Sequence, residues 1–281
     1  MGRNLIPKLI KDQHHILELT RSIEKSRSLF GDMTLKLELS SSQEKLKNKI
    51  KDFSPEICIH LASYLSSSDE FLEAGKLFNS NIKFLINLLD CFKFCDLEYF
   101  INTGTFAEYS KNDSQLSPAY LYAATKSASR IFLDYYSDFY EFKYLTIIPY
   151  TIYGKKDSNK KILDIIYDSL DSDQPIDLSP GNQILDFIHI NDIVYYYRNL
   201  IKNISLHDNK TVYKLGTGTG HTLKELAKIF ENLTNKKANI KWGALKYRKN
   251  DIMLAVSPNN KIFDKNPISL EEGVKLYINE K

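Results

Sequence analysis

The sequence predicts an α/β fold in which a doubly wound parallel sheet is followed by a smaller C-terminal lobe. Short apolar runs alternate with longer helical patterns along most of the chain, and such alternation is typical of a parallel sheet with helices on both faces. The central runs are apolar on both sides, as strands covered on both faces are. With 281 residues, 43% of them hydrophobic, the chain can bury a core of this size.

The elements of the first half follow in a regular order. A helix is expected within a few residues of Met1, because Leu5 and Leu9 have helical spacing and Pro7 is tolerated only in the first turn of a helix. Then come a strand at 14–21, a helix at 43–51, a strand at 55–63, a helix at 79–95, a strand at 97–105, a helix at 118–140 and a strand at 144–154.

The pattern changes after Gly154. It predicts a helix at 160–170, then a strand, turn, strand and helix over 175–201, a strand before the glycines at 216–220, a helix at 222–230 and a strand at 239–242. We therefore expect a main domain over residues 1–154 and a smaller lobe over 155–281, interleaved with the last sheet elements. Ligands bind beyond the carboxyl ends of strands in doubly wound folds, so functional residues should follow strands.

Composition excludes several classes of function. The 38 basic and 35 acidic residues nearly balance at a net charge of +3, and the lysines form no stripe for nucleic acid. The apolar runs are too short to span a bilayer, and no signal sequence is evident. Cys58, Cys91 and Cys95 fit neither a disulfide framework nor a zinc site, and no ligand cluster accompanies His60 or His189. We expect a soluble cytoplasmic protein without a metal ion.

The sharpest combination of residues is Tyr122 with Lys126 in the long helix, and Thr105 at the end of the preceding strand. A spacing of four places the first two on one helical face. A free tyrosine titrates near ~10, and an adjacent lysine cation favours the phenolate. Tyr122 could then exchange a proton with a carbonyl or alcohol oxygen that Thr105 holds. Such a pair also arises by chance among 18 tyrosines, but the strand end before this helix favours function.

Several segments together resemble the extended short-chain dehydrogenase/reductase superfamily, the NAD-dependent epimerase/dehydratase family. They are IHLAS at 59–63, Asn81 with NLL at 87–89, the Tyr122–Lys126 pair, PYTIYG at 149–154 and GNQILDFIHINDI at 181–193. The resemblance implies a Rossmann-like domain that binds NADP over residues 1–154 and a substrate lobe over 155–281.

Within the superfamily the chain most resembles the group of CDP-abequose and CDP-paratose synthases. FINTGT at 100–105, YAATK at 122–126, QILDFIHINDIV at 183–194 and GALKYRKNDIM at 243–253 carry this likeness. It implies NADPH-dependent reduction of the 4-keto group of a nucleotide-diphospho-deoxyhexose, linked to CDP or dTDP, in deoxysugar and lipopolysaccharide biosynthesis. A nucleotide-sugar epimerase with bound NAD and a truncated, non-catalytic relative remain alternatives. A homodimer is one assembly that the resemblance allows.

The resemblance also implies roles for single residues. Tyr122 would be the proton donor, Lys126 the partner that lowers its pKa and contacts the cofactor ribose, and Thr105 would orient the carbonyl. The cofactor-binding residues would be Gly2, Arg21, Ala62, Tyr122, Lys126 and Pro149, and the substrate-binding residues would be Thr151 and Arg248.

Two details bear on the reaction and the cofactor. Dehydratases of this group place Asp-Glu directly after the catalytic threonine, whereas here Glu108 comes one residue later, which disfavours dehydration. Members that prefer NAD end the second strand with an acidic residue that binds the ribose hydroxyls. This chain has Thr20 and Arg21 there, and an arginine suits a 2′-phosphate better. The cofactor is therefore expected to be NADP(H), with NAD as the alternative.

The substrate side departs from the family pattern. Many relatives carry an arginine where Leu185 lies and another where Ile148 precedes the proline. The arginine side chains that usually bind the substrate are therefore missing at both positions. Arg248 remains a candidate for the diphosphate, which it could bind through two parallel hydrogen bonds, although a solvated arginine is the alternative.

The glycines of Gly216-Thr-Gly218-Thr-Gly220 imitate a dinucleotide fingerprint. Their spacing is wrong, and no acidic residue follows a second strand at the usual distance. The next helix starts with Thr222 and Glu225, which form a capping box. A turn before a capped helix therefore explains these glycines.

The first ten residues, MGRNLIPKLI, resemble the end of the family fingerprint, G-x-x-G-F-I-G-R-N-L. Gly2 matches its last glycine, and the first strand and first two glycines are missing. We expect that an internal methionine has been taken as the start, with a true truncation as the alternative. The sheet should then lack its central first strand, which leaves unpaired edges and a weakened phosphate site.

Overall fold

A computed structural model describes residues 1–66, 70–111, 115–154, 160–258 and 265–281. The chain divides into two compact units. Unit 1 comprises Met1–Glu108, Tyr120–Ile147 and Val194–Tyr213, and unit 2 comprises Tyr109–Ala119, Ile148–Ile193 and Lys214–Lys281. The domain boundary predicted after residue 154 falls at 155–159, which lie outside the described residues.

The secondary structure alternates between strands and helices. The described strands are β1 (Leu17–Thr20), β2 (Leu35–Glu38), β3 (Ile57–His60), β4 (Tyr99–Thr103), β5 (Lys143–Pro149), β6 (Thr151–Tyr153), β7 (Ile176–Leu178), β8 (Ile184–His189), β9 (Thr211–Leu215), β10 (Gly220–Thr222), β11 (Ile240–Trp242) and β12 (Leu254–Ala255). The described α-helices are α1 (Gly2–Lys11), α2 (Ile23–Phe30), α3 (Gln43–Phe53), α4 (Phe71–Leu77), α5 (Phe84–Cys91), α6 (Leu121–Tyr140), α7 (Ile162–Ser169), α8 (Ile190–Lys202), α9 (Leu223–Thr234) and α10 (Leu270–Asn279). A π-helical segment, Phe78–Lys83, joins α4 to α5.

The sheet of unit 1 is divided into two pieces. One has the strand order β3-β4-β5-β9, and the other pairs β1 with β2. β3, β4 and β5 run parallel, with Ile57 opposite Tyr99 and Tyr99 opposite Lys143, so the predicted parallel α/β class is confirmed. Among the described residues no strand joins β1 to β3.

The core of unit 1 lies between the larger sheet piece and the helices α3, α5 and α6. One buried cluster contains Ile50 of α3, Leu85 and Leu89 of α5, Leu133 of α6 and Phe100 of β4. Burying a side chain of this kind contributes about 1.5–3 kcal/mol. The cluster therefore fixes α6 against β4, and these two elements carry or precede the predicted catalytic residues.

The helical region before β4 differs from the prediction. The single helix expected at 79–95 is instead a series of segments that begins at Phe71 and includes α4, the π-helical segment, α5 and a 3₁₀ turn at Phe92–Phe94. The helix expected from residue 118 begins at Leu121, because Tyr120 before it is extended, with φ at −156°. The elements α2, β2 and α10 were not predicted; all three are short, and polar residues separate their apolar positions.

The first helix begins at Gly2, as predicted, but Pro7 lies inside it rather than in the first turn. A proline inside a helix leaves the carbonyl four residues earlier without its hydrogen bond. That carbonyl belongs to Arg3, which is exposed, so water can take the place of the missing donor. The buried residues Leu5 and Leu9 anchor the helix on its other face.

Unit 2 is built around β8. This strand pairs in parallel with β6 and β12 and antiparallel with β10, and β7 pairs with β11. Its core packs Phe187 of β8 against Leu226 and Phe230 of α9 and Val274 of α10. The predicted strand, turn, strand and helix over 175–201 are all present. No helix within the described ranges is long and apolar enough to cross a membrane.

Candidate active site

Thr105 lies just beyond the carboxyl end of β4, where the chain makes a 3₁₀ turn at Phe106–Glu108. Thr105 is 9% exposed, and its N–H donates to Glu108 Oε1 at 2.7 Å. Glu108 N–H donates in return to the Thr105 carbonyl at 3.0 Å. These two hydrogen bonds fix the turn, and the turn places the Thr105 hydroxyl at the end of the strand.

Tyr122 and Lys126 lie one turn apart in the first half of α6. Both side chains are buried, with Tyr122 8% exposed and Lys126 3% exposed. Ala123 and Ala124 between them favour the helix without adding bulk. Within the part of the chain that the structure describes, no hydrogen bond or ion pair engages the Lys126 ammonium. A buried ammonium without a protein partner is costly, and it can donate hydrogen bonds to a ligand.

Burial dominates the protonation of this pair. It lowers the pKa of Lys126 to about 8, an effect that the Glu108 carboxylate opposes. It raises the pKa of Tyr122 to about 12, and a hydrogen bond with Ser63 opposes that rise. The lowered tyrosine pKa predicted from Lys126 is therefore not found in the protein alone, because desolvation is the larger effect. At neutral pH Tyr122 carries its phenolic proton and Lys126 is charged.

Asn81 connects α6 to the loop that follows β3. Asn81 lies in the π-helical segment and is 2% exposed. Its amide accepts from Tyr64 N–H at 2.7 Å, donates to the Tyr64 carbonyl at 3.0 Å and donates to Thr125 Oγ1 at 3.0 Å. Thr125 directly precedes Lys126, so this one side chain positions two segments that carry predicted site residues.

Glu108 was not among the residues predicted for the site. The structure buries it completely, and its Oε2 accepts from Ser127 Oγ at 3.3 Å and from the Arg130 guanidinium of α6. Burial raises the pKa of Glu108, and Arg130 is the main group that opposes the rise. An acidic residue in the turn after a strand is the only sequence signal for this contact.

The predicted cofactor residues of unit 1 other than Tyr122 and Lys126 occupy three places. Gly2 begins α1, whose N-cap Met1 forms no side-chain cap, and a Cβ on Gly2 would lie 3.9 Å from Leu61 Cδ1. The start of α1 is therefore beside the loop after β3, where Ala62 is half-buried. Arg21 directly follows β1 and is exposed.

The remaining predicted residues belong to unit 2. Pro149 is buried at the end of β5, and Thr151 is half-buried at the start of β6. Arg248 is exposed, and its backbone N–H donates to Asp251 Oδ2 at 2.8 Å.

The glycine-rich loop of unit 2 encloses a carboxylate of the protein itself. Asp186 is fully buried and accepts from Thr217 N–H and Gly218 N–H, both at 2.9 Å, and from Ser257 Oγ at 2.8 Å. Backbone N–H groups in such loops commonly cradle anions, and here the anion is a side chain. The capping box of Thr222 and Glu225 is present as predicted. The loop is therefore a structural turn.

The two histidines singled out by the sequence are both buried. Burial lowers the pKa of His60 to about 3, and it also lowers the pKa of His189. Both are therefore neutral at pH 7. Among the described residues no group of three potential ligands could hold a metal ion.

Comparisons with known proteins bear on this arrangement. Residues 1–216 match the NAD dependent epimerase/dehydratase family. A CDP-abequose synthase of Yersinia pseudotuberculosis is 30% identical over 284 aligned positions, which cover 100% of this chain and 95% of the relative. A CDP-abequose synthase of Salmonella typhimurium is 24% identical over 93% of this chain and 87% of the relative. The solved UDP-glucose 4-epimerase of Thermus thermophilus, in complex with NAD, has a TM-score of 0.84 at 18% identity and covers 99% of this chain and 94% of that chain, a likeness of fold.

Proposed function

Because the chain belongs to the NAD dependent epimerase/dehydratase family, we propose that it reduces the 4-keto group of a CDP- or dTDP-linked deoxyhexose with NADPH. The observation that carries this proposal is the buried pair on α6: Tyr122 retains its proton, and Lys126 offers an ammonium with no partner among the described residues. A reduction needs a proton donor at the carbonyl oxygen, and a protonated phenol supplies one.

The described residues fit a nicotinamide dinucleotide in four respects. The buried ammonium of Lys126 can donate to ribose hydroxyls. The start of α1, which has no side-chain cap, offers backbone N–H groups and the positive end of a helix dipole to a phosphate. Arg21, exposed after β1, can pair with a 2′-phosphate, which favours NADP(H) over NAD. Ala62 and Pro149 lie just after β3 and at the end of β5, where a parallel sheet binds its ligands.

The chemistry divides between cofactor and chain. When bound, the reduced nicotinamide supplies a hydride to C4 of the sugar. Tyr122 donates its phenolic proton to O4, and the Lys126 ammonium stabilises the phenolate that remains. The Thr105 hydroxyl holds O4 in place through a hydrogen bond. Thr151 and Arg248 are proposed to bind the substrate, with Arg248 on the diphosphate.

The test is an assay of the purified protein with NADPH and a CDP- or dTDP-4-keto-deoxyhexose. The expected result is loss of reduced-nicotinamide absorbance in proportion to reduced sugar formed. Interconversion of sugars without net consumption of cofactor would identify an epimerase instead. Failure to bind NADP(H) or NAD(H) would refute both enzymatic functions and favour the non-catalytic relative.

A further inference from the structure

We propose that Glu108 is a positioning residue of this site, because it joins the Thr105 turn to the helix that carries Tyr122 and Lys126. The inference rests on the proposed function and deepens it, since it concerns how the catalytic residues are held and charged. Glu108 is fully buried in the 3₁₀ turn after β4, and a buried carboxylate is retained only where its partners offset the loss of water.

The two oxygens of Glu108 face different elements. Oε1 accepts from Thr105 N–H at 2.7 Å within the turn. Oε2 faces α6, where it accepts from Ser127 Oγ at 3.3 Å and from the Arg130 guanidinium. Ser127 directly follows Lys126 in the chain. One carboxylate thus fixes the backbone of Thr105 to the turn of α6 next to Lys126.

The charge of Glu108 acts on both members of the pair. His60 of β3 also interacts with Lys126, but burial lowers the pKa of His60 and keeps it neutral. Among the described residues, the charged and titratable groups that interact with Glu108 itself are Arg130, Lys126 and Tyr122, all from α6. Its negative charge raises the pKa of Lys126 and also that of Tyr122. Both effects keep protons on the site, so Lys126 stays a cation and Tyr122 a proton donor at higher pH. The 13% exposed Arg130 side chain balances the carboxylate so that it remains ionised.

The variant E108Q separates this role from simple packing. Glutamine keeps the shape and an oxygen acceptor for Thr105 N–H, but it removes the charge. The pKa values of Lys126 and Tyr122 should then both fall, so the alkaline limb of the kcat–pH profile should move down by about one pH unit. D134N is the matched control, because Asp134 lies on α6 one turn beyond Arg130 and pairs instead with Tyr144 and Lys210.

A second measurement needs no substrate. The unfolding midpoint is measured from pH 7 to pH 10, where stability rises as Lys126 loses its proton. This rise should begin at a lower pH in E108Q than in D134N or the unaltered protein. If E108Q does not fold because Arg130 is left without its counter-ion, the double variant E108Q/R130Q removes both charges. It should show a smaller displacement in the same direction, because the loss of the Arg130 cation partly offsets the loss of the carboxylate. Profiles that coincide with those of D134N in both measurements would overturn the inference. Absence of NADPH oxidation by the unaltered protein would refute the proposed function alone.

Discussion

The side-chain amide of Asn81 donates a hydrogen bond to Thr125 Oγ1 at 3.0 Å, although the two residues lie 44 positions apart. Thr125 in turn donates to the Tyr122 carbonyl at 2.7 Å. Asn81 therefore supports, through Thr125, the turn of α6 that carries Tyr122 and Lys126. It lies in a π-helical segment, and such segments occur often at functional sites because they redirect a side chain.

Replacing Asn81 by alanine should cost about 2 kcal/mol of unfolding free energy, because Tyr64 and Thr125 lose buried hydrogen bonds. The expected loss of kcat exceeds the loss that reduced folding explains, because Lys126 loses its support. Urea unfolding and steady-state kinetics measure the two effects. Asn79→Ala, in the same segment but exposed, should leave both unchanged. Equal effects of the two substitutions would contradict the prediction.

Replacing Tyr122 by phenylalanine should lower kcat between about 100-fold and 10,000-fold, because the proposed proton donor is lost. Cofactor affinity should change little, since Lys126, the proposed contact of the cofactor ribose, remains. NADPH titration by fluorescence and turnover assays measure the two quantities. Tyr135→Phe is the control on the same helix, because Tyr135 is 53% exposed. Full activity of Tyr122→Phe would show that another group donates the proton.

Contacts between residues close together in the chain could be predicted from the sequence, and contacts between distant residues could not. The Tyr122–Lys126 pair was visible in the sequence because a spacing of four is a local property of a helix. Glu108 and Arg130 are 22 positions apart, and their contact depends on α6 packing against the strand end. The same holds for Asp186, which meets Ser257 over 71 positions. The raised pKa of Tyr122 in the protein alone could not be derived from the sequence, because desolvation depends on tertiary burial.

Arg21 should determine the choice between NADPH and NADH. Arg21→Ala should raise the KM for NADPH about tenfold or more, because a charged hydrogen bond to the 2′-phosphate is lost, and it should leave the KM for NADH nearly unchanged. Arg27→Ala is the control, since Arg27 is exposed in α2 and pairs with Asp32 at 3.2 Å. An equal change in both KM values would show that Arg21 does not read the phosphate.

The glycine-rich loop of unit 2 should affect stability but not cofactor binding. A Cβ on Gly216 would overlap Ser257 Oγ and Asp186 Oδ2, so Gly216→Ala should cost about 1–3 kcal/mol of unfolding free energy. Gly75→Ala is the matched control, because nothing lies within 4 Å of its added Cβ and alanine favours a helix. Thermal unfolding and NADPH titration measure both variants. A folded Gly216→Ala protein with weakened NADPH binding would mean that the loop holds phosphate.

Lys126→Met should abolish turnover and at the same time stabilise the fold at neutral pH. Burial lowers the pKa of Lys126 from its usual 10.5 to about 8, so the folded protein binds fewer protons than the unfolded chain between these two values. Stability of the unaltered protein should therefore rise with pH across that window, and the full cost of burying the charge applies below pH 8. At about 1.4 kcal/mol for each pKa unit, methionine should recover up to about 3 kcal/mol at pH 7.

The Glu108 carboxylate does not cancel the stabilisation expected of Lys126→Met, because its ion pair with Arg130 remains in the variant. The measurement is the unfolding free energy in urea at pH 7 and at pH 10. The variant should be more stable than the unaltered protein at pH 7, and the difference should shrink toward pH 10 as the lysine loses its proton. A variant less stable than the unaltered protein at pH 7 would mean that the Lys126 ammonium has a stabilising partner. The sign of that difference therefore decides whether Lys126 is kept for function at the expense of stability.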